Sequence, residues 1–183
     1  MTESLCIAIV GAECTGKTTL AAALAARLAH GSGLRVAWVA EWLREWCDRE
    51  GRTPQAHEQP AIARTQHERI EAAAAAHDIV VCDTTALMTA AYSRLIFGDR
   101  SLDEPAAALH RRMAITLLTA IDLPWLPDGH QRDGPQVRAP VDALLRELLG
   151  HHRLRWAEVG GVGAVRLEQA MAAVAPLLLL PPR

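Results

Sequence analysis

The sequence predicts an α/β fold: a doubly wound, largely parallel five-stranded sheet with helices on both faces. Three observations carry that expectation. Short apolar runs alternate with longer helical segments along the chain. The runs are continuously apolar rather than alternating, as strands covered on both faces require. The first run leads through a glycine-bearing loop straight into a helix.

In chain order, Leu5 to Val10 reads as the first strand. Thr18 to His30 is an Ala/Leu-rich helix with Leu20, Leu24 and Leu28 on one face. Arg35 to Ala40 is the second strand, and Trp38 within it is expected in the core. A helix follows from Glu41, and Gly51 to Pro54 breaks the chain. His57 to His77 is helical, interrupted early by Pro60. Asp78 to Asp83 is the third strand, Thr84 to Phe97 a helix, Gly98 to Asp103 a loop, and Glu104 to Arg112 a short helix. Ala114 to Thr119 is the fourth strand. Asp122 to Pro140 is rich in Pro, Gly, Asp and Arg, and reads as a long loop. Val141 to Leu149 is a helix, Leu154 to Val159 the fifth strand, and Val162 to Val174 the last helix. The apolar tail from Ala175 to Pro182 has no legible role.

A chain of 183 residues, half of them apolar, is expected to form a single domain over 1–183. The net charge of −2 provides no general basic field, so a nucleic-acid partner is not expected. No leader or membrane-length apolar segment is visible, so neither is a membrane partner. Cys6, Cys14, Cys47 and Cys82 show no C-x-x-C spacing and read as small core or loop residues of a reducing compartment, which with the missing leader points to the cytoplasm. Homo-oligomerisation stays open.

The chemistry concentrates in Gly11-Ala12-Glu13-Cys14-Thr15-Gly16-Lys17-Thr18-Thr19, which fits G-x-x-x-x-G-K-[ST]. Lys17 is the only lysine; the other eighteen basic residues are arginines. A slim ammonium reaches between phosphates as a point charge, where a planar guanidinium suits bidentate partners instead. Between strand and helix, the loop's backbone N–H groups and the positive helix end face an anion. This is the phosphate-binding P-loop of nucleotide-binding folds. Gly11, Glu13, Cys14, Thr15, Gly16, Lys17, Thr18 and Thr19 are therefore expected to bind ATP, with Lys17 on the β- and γ-phosphates and the Thr18 hydroxyl on Mg²⁺.

Ligands of such sheets bind beyond the carboxyl ends of the strands. Asp83 ends the third strand as a second Mg²⁺ residue. Glu41 ends the second, either as a base or sugar-hydroxyl acceptor or as a helix N-cap. Whether Glu41 or Asp83 is the catalytic base is open at this level. The loop at 122–140 reads as a lid whose Arg132 and Arg138 close over the phosphates, Arg132 first. Trp42 or Trp125 is available to stack on an aromatic ligand, although packing is the ordinary use of either ring.

Five segments together resemble the ribosylnicotinamide kinase domain of NadR-type proteins, within the P-loop nucleoside-kinase-like group. They are the loop from Gly11 to Thr18 with its Gly-x-Glu start; Glu41-Trp42-Leu43-Arg44-Glu45; Gln66-His67; Val81-Cys82-Asp83-Thr84 followed by Leu87 and Thr89; and Trp125-Leu126-Pro127-Asp128-Gly129-His130-Gln131-Arg132. The resemblance implies phosphorylation of the 5′-hydroxyl of nicotinamide riboside by Mg²⁺-ATP, giving nicotinamide mononucleotide. It implies Lys17, Glu41, Asp83 and Arg132 as catalytic residues, and Glu41, Trp42, Arg44, Trp125 and Asp128 on the substrate side. A kinase of another nucleoside or metabolite, or a regulatory P-loop ATPase switch, is the alternative.

Overall fold

The computed structural model describes residues 4–30, 32–126 and 134–179. The elements run β1 (Leu5–Val10), α1 (Lys17–Ala29), β2 (Val36–Val39), α2 (Trp42–Glu50), α3 (Gln59–Ala74), β3 (Ile79–Asp83), α4 (Ala86–Phe97), α5 (Asp103–His110), β4 (Ile115–Thr119), α6 (Arg138–His151), β5 (Trp156–Val159) and α7 (Ala164–Leu178). The strands form one sheet in the order β2-β3-β1-β4-β5, every neighbouring pair parallel. The expected doubly wound α/β fold is the observed one.

Alternation along β1 explains the two layers of helices. Ile7 and Ile9 face one side, packing with Leu20, Leu24 and Leu28 of α1 and with Ala170 and Val174 of α7. Cys6 and Ala8 face the other with Ile70 of α3, and Val10 joins the core built by α4 and α6. β1, β3 and β4 are almost wholly buried, so their sequences read as unbroken apolar runs. Because all strands are parallel, their carboxyl ends share one edge of the sheet. The chain moves from β1 outward to β2, returns to β3, then crosses to β4 on the other flank of β1. That reversal opens a crevice beside the end of β1, where ligands of such sheets sit.

Several boundaries differ from expectation. Trp38 is 43 % exposed rather than in the core: β2 is an edge strand, and helix cover is incomplete at positions 36–38. Pro60 opens α3, after a 3₁₀ turn over Ala56–Glu58, rather than interrupting a longer helix; the missing N–H is an orphan there anyway. α6 begins at Arg138, with Pro140 in its first turn, so the long loop ends earlier than expected. α7 continues past Pro176 to Leu178, because Leu177 packs on the core shared with α1 and holds the last turn down. No helix among the described residues is long and apolar enough to cross a membrane.

His110 is a buried polar pin between layers. Its Nδ1 lies 2.8 Å from Oγ1 of Thr85, which caps α4, and its Nε2 lies 2.6 Å from Oγ1 of Thr116 in β4. Burial pushes its pKa down to about 3, so the folded protein holds it neutral. An unfolded histidine binds its proton near pH 6.5. The stability that neutral His110 contributes is therefore complete above pH 6.5 and is lost as the pH falls from there toward 3. Urea titrations should show stability falling across that window by up to about 1.4 kcal/mol per pH unit from this group. The His110→Gln variant, less stable at neutral pH, should lose that part of the slope; an unchanged slope would place the acid sensitivity elsewhere.

Candidate active site

The loop from Gly11 to Lys17 is shaped by two glycines. Gly11 has φ +156°, and a Cβ there would stand 2.0 Å from Oγ1 of Thr119. Gly16 caps α1 in the left-handed region, and a Cβ there would crowd Leu123 and Arg166 at 3.2 and 3.3 Å. The loop's carbonyls are drawn inward. Ala12 O accepts from the Thr15 hydroxyl at 2.7 Å and from the Lys17 ammonium at 2.9 Å. Thr119 Oγ1, at the end of β4, lies 2.6 Å from Thr15 Oγ1 and 3.2 Å from Val10 O. Arg166, buried in the first turn of α7, donates to Thr15 O and to Asp122 Oδ1. Asp122 also accepts from the Gly161 N–H at 2.5 Å. Burial of Asp122 opposes its ionisation, but the Gly161 N–H and Arg166 outweigh it and hold the carboxyl below the usual aspartate range.

Three carboxylates surround Lys17. Burial pushes its ammonium below the ordinary lysine range, while Glu41, Asp83 and Glu13 pull it back up. Asp83 is 1 % exposed. Burial raises its pKa, against the pull of a hydrogen bond from Thr18 and of the Lys17 charge. Its Oδ1 is buried with no partner among the described residues. A carboxylate held by the Thr18 hydroxyl through one side, with its other oxygen unsatisfied, suits a hard oxygen-seeking cation such as Mg²⁺. Thr84, just after it, has φ +69°, a strained conformation for a β-branched residue; its N–H is held by Ile9 O at 3.0 Å.

Glu41 precedes the first turn of α2, but its side chain makes no capping bond to that helix. The helix start is held by Gln66 instead: its Oε1 accepts from the Trp42 N–H at 2.7 Å, and its amide donates to Ala40 O at 3.4 Å. Glu41 lines a cavity of about 350 Å³ with Glu13, Lys17, Arg44, Tyr92 and Phe97, among others. That size is within the range of small-molecule sites, about 300–1,000 Å³. The walls come from α2, α4 and the segment at 53–59, so the cavity adjoins the phosphate loop directly.

The remaining expected residues are placed as follows. Thr18 and Thr19 are exposed at the start of α1, and Cys14, with φ +54°, donates from Sγ to Leu126 O at 3.1 Å. The stretch from Asp122 to Leu126 thus passes over the phosphate loop. Trp125 lies on it, partly buried, with Nε1 lacking a partner among the described residues. Arg138 is buried at the start of α6, where one Nη donates to Leu123 O at 2.8 Å and anchors the loop. Trp42 does not line the cavity. The Arg49 and Arg69 guanidiniums sit 5.3 and 5.0 Å from its ring centroid, and the aromatic rings facing the cavity are Tyr92 and Phe97. Asp128 and Arg132 lie outside the described residues.

Residues 6–166 match the model of the AAA_28 family, described as an AAA domain. No curated protein matches the chain. Among solved structures, it is similar to a NadR protein in complex with NR, with a TM-score of 0.75 and 19 % identity over 98 % of this chain and 52 % of that one. It is similar to a NadR protein in complex with NAD and AMP-PNP, with a TM-score of 0.73 and 20 % identity over 98 % and 51 %. Thymidylate kinase from Ehrlichia chaffeensis gives a TM-score of 0.66 and 17 % identity over 96 % and 99 %. The chain spans about half the length of the NadR chains. These likenesses show a fold shared with P-loop nucleoside and nucleotide kinases.

Arg166 should prove a structural keystone of the loop. Arg166→Met leaves the Thr15 carbonyl and the Asp122 carboxylate without their shared donor, and is expected to cost about 2–3 kcal/mol in urea unfolding. Asp122→Ala added to that variant should cost less than Asp122→Ala costs alone, because the coupling to Arg166 is already gone and only the Gly161 N–H bond is left to lose. Fully additive losses would show that the two residues act separately.

Proposed function

We propose that this chain, which belongs to the AAA_28 family, is a kinase that transfers the γ-phosphoryl group of ATP to a hydroxyl of a nucleoside-like small molecule, nicotinamide riboside foremost. The observation that carries this reading is the placement of Glu41. It forgoes the helix cap and lines the same cavity as Lys17, so an acceptor bound there would lie beside phosphates held by the loop. The structural likeness to a NadR protein in complex with NR supports the choice of acceptor.

The residues divide the work. The N–H groups of 13–19 cradle the ATP phosphates, and Lys17 neutralises the β- and γ-oxygens. Thr18 and Asp83 would hold Mg²⁺, which when bound would neutralise charge developing on the phosphates. With Asp83 held by Thr18, Glu41 accepts the proton of the acceptor hydroxyl as that oxygen bonds the γ-phosphorus and the bond from it to the β–γ bridging oxygen breaks, releasing ADP. Arg44 and Tyr92 contact the acceptor from the cavity walls. Trp125 lies on the stretch that crosses the loop, placed to cover a bound nucleotide. Arg132 and Asp128 lie outside the described residues, and their parts in this reading, charge neutralisation at the phosphates and contact with the acceptor, rest on the sequence resemblance alone.

The test is ATP consumption with Mg²⁺ across a panel of nucleosides, nicotinamide riboside included, with product mass as readout. A product heavier by one phosphoryl group is expected. ATP turnover indifferent to every acceptor would replace this reading with a regulatory ATPase. Lys17→Ala should abolish turnover with little change in melting temperature. Glu41→Gln should lower kcat by about 10²–10⁴ with ATP affinity nearly intact. If Glu41→Gln changes stability alone, Glu41 is a structural residue and the base is Asp83.

A further inference from the structure

α6 leaves the carboxyl edge of the sheet after β4 and delivers the chain to the start of β5, so its last residues lie at the edge opposite the phosphate loop. There, with α5, they line a second cavity of about 200 Å³. We propose that Glu104, His151 and His152 form a site for a divalent transition-metal ion, Zn²⁺ by preference, that clamps α5 to the end of α6.

One ligand atom from each of the three lies within 4.8 Å of the other two. The His152 side chain is only 4 % exposed, and its Nδ1 faces Glu104 Oε2 across 3.8 Å, too far for a hydrogen bond. Its Nε2 is buried with no partner among the described residues. His110, also buried, satisfies both nitrogens. The unsatisfied buried ring of His152 stands in contrast to it. The His151 and His152 rings stand at 90° with centroids 4.8 Å apart, and both line the cavity. Ligands of a tetrahedral Zn²⁺ with bonds near 2.0–2.1 Å sit roughly 3.4 Å from one another. The exposed Glu104 and His151 side chains need draw in by only roughly 1.5 Å, which rotamer changes supply.

The surrounding charge favours a cation. Arg94 and Arg100 also line the cavity, but both are engaged by Asp103, at 3.4 and 3.5 Å, and by Glu147, at 2.9 and 3.4 Å. Glu104 is a third carboxylate against two guanidiniums. The negative end of the α6 dipole adds to that excess. Two imidazoles and one carboxylate suit a borderline ion such as Zn²⁺ over Mg²⁺ or Ca²⁺, which take oxygen ligands.

Equilibrium dialysis of the reduced full chain against Zn²⁺ in excess Mg²⁺, with metal counted by mass spectrometry, tests the site without reference to kinase activity. One Zn²⁺ per chain is expected, with a rise in melting temperature on binding. Glu104→Gln and His151→Gln, both exposed and so leaving the fold intact, should each weaken binding at least tenfold and remove the thermal shift. Absence of binding would overturn the proposal. So would binding unchanged in both variants, or binding lost instead in Cys14→Ser.

Discussion

The phosphate loop works because its carbonyls are held from behind. A peptide unit is a rigid plane, so a carbonyl drawn inward turns the neighbouring N–H toward the opening. Here Ala12 O is taken by Thr15 and Lys17, and Thr15 O by Arg166. Gly11 lets the turn pass close enough to Thr119 for that hydroxyl to meet Thr15. The loop is thus moulded by β4 and α7 as much as by its own sequence. The same Arg166 holds Asp122, which carries the start of the long segment that crosses the loop. One guanidinium therefore couples the shape of the anion site to the position of whatever closes over it.

This division explains what the sequence made legible. The central strands were readable because burial on both faces leaves only apolar residues, and the phosphate motif because its constraints are local: a glycine at each end, then Lys and Thr at the start of a helix. The contacts that finish the site are not local. Thr119 meets Thr15 across 104 residues and Arg166 meets it across 151. A trace of Arg166 was nonetheless present: a cation in the first turn of a helix opposes the dipole, and behind Gly160-Gly161-Val162-Gly163 that local cost needs a compensating partner. Trp38 misled for the opposite reason. Apolar character says that a strand is covered, but not how far the cover extends at a sheet edge.

The arginines show how composition shaped a second ambiguity. In a chain with one lysine, every structural cation must be an arginine, so a loop arginine cannot be told from an anchoring one by type. Arg138 lies in a segment with the composition of a lid, yet its place in the fold is the first turn of α6, with one Nη donating to Leu123 O. Geometry separates it from Arg44, which lines the cavity beside Glu41.

Charge at the loop gives the strongest physical reason to couple nucleotide and metal. Lys17 lies among Glu13, Glu41 and Asp83, with Arg44 a further cation felt at that position. A polyphosphate added to such a cluster would meet repulsion from the carboxylates, strengthened by burial. Asp83 cannot relieve it by exposure, since it is 1 % exposed, with one oxygen unpartnered among the described residues. A divalent ion at Thr18 and Asp83, as proposed above, would turn that buried carboxylate from an obstacle to the phosphates into part of their binding site. The nucleotide and the ion are then expected to bind with positive coupling, each restoring the charge balance that the other disturbs.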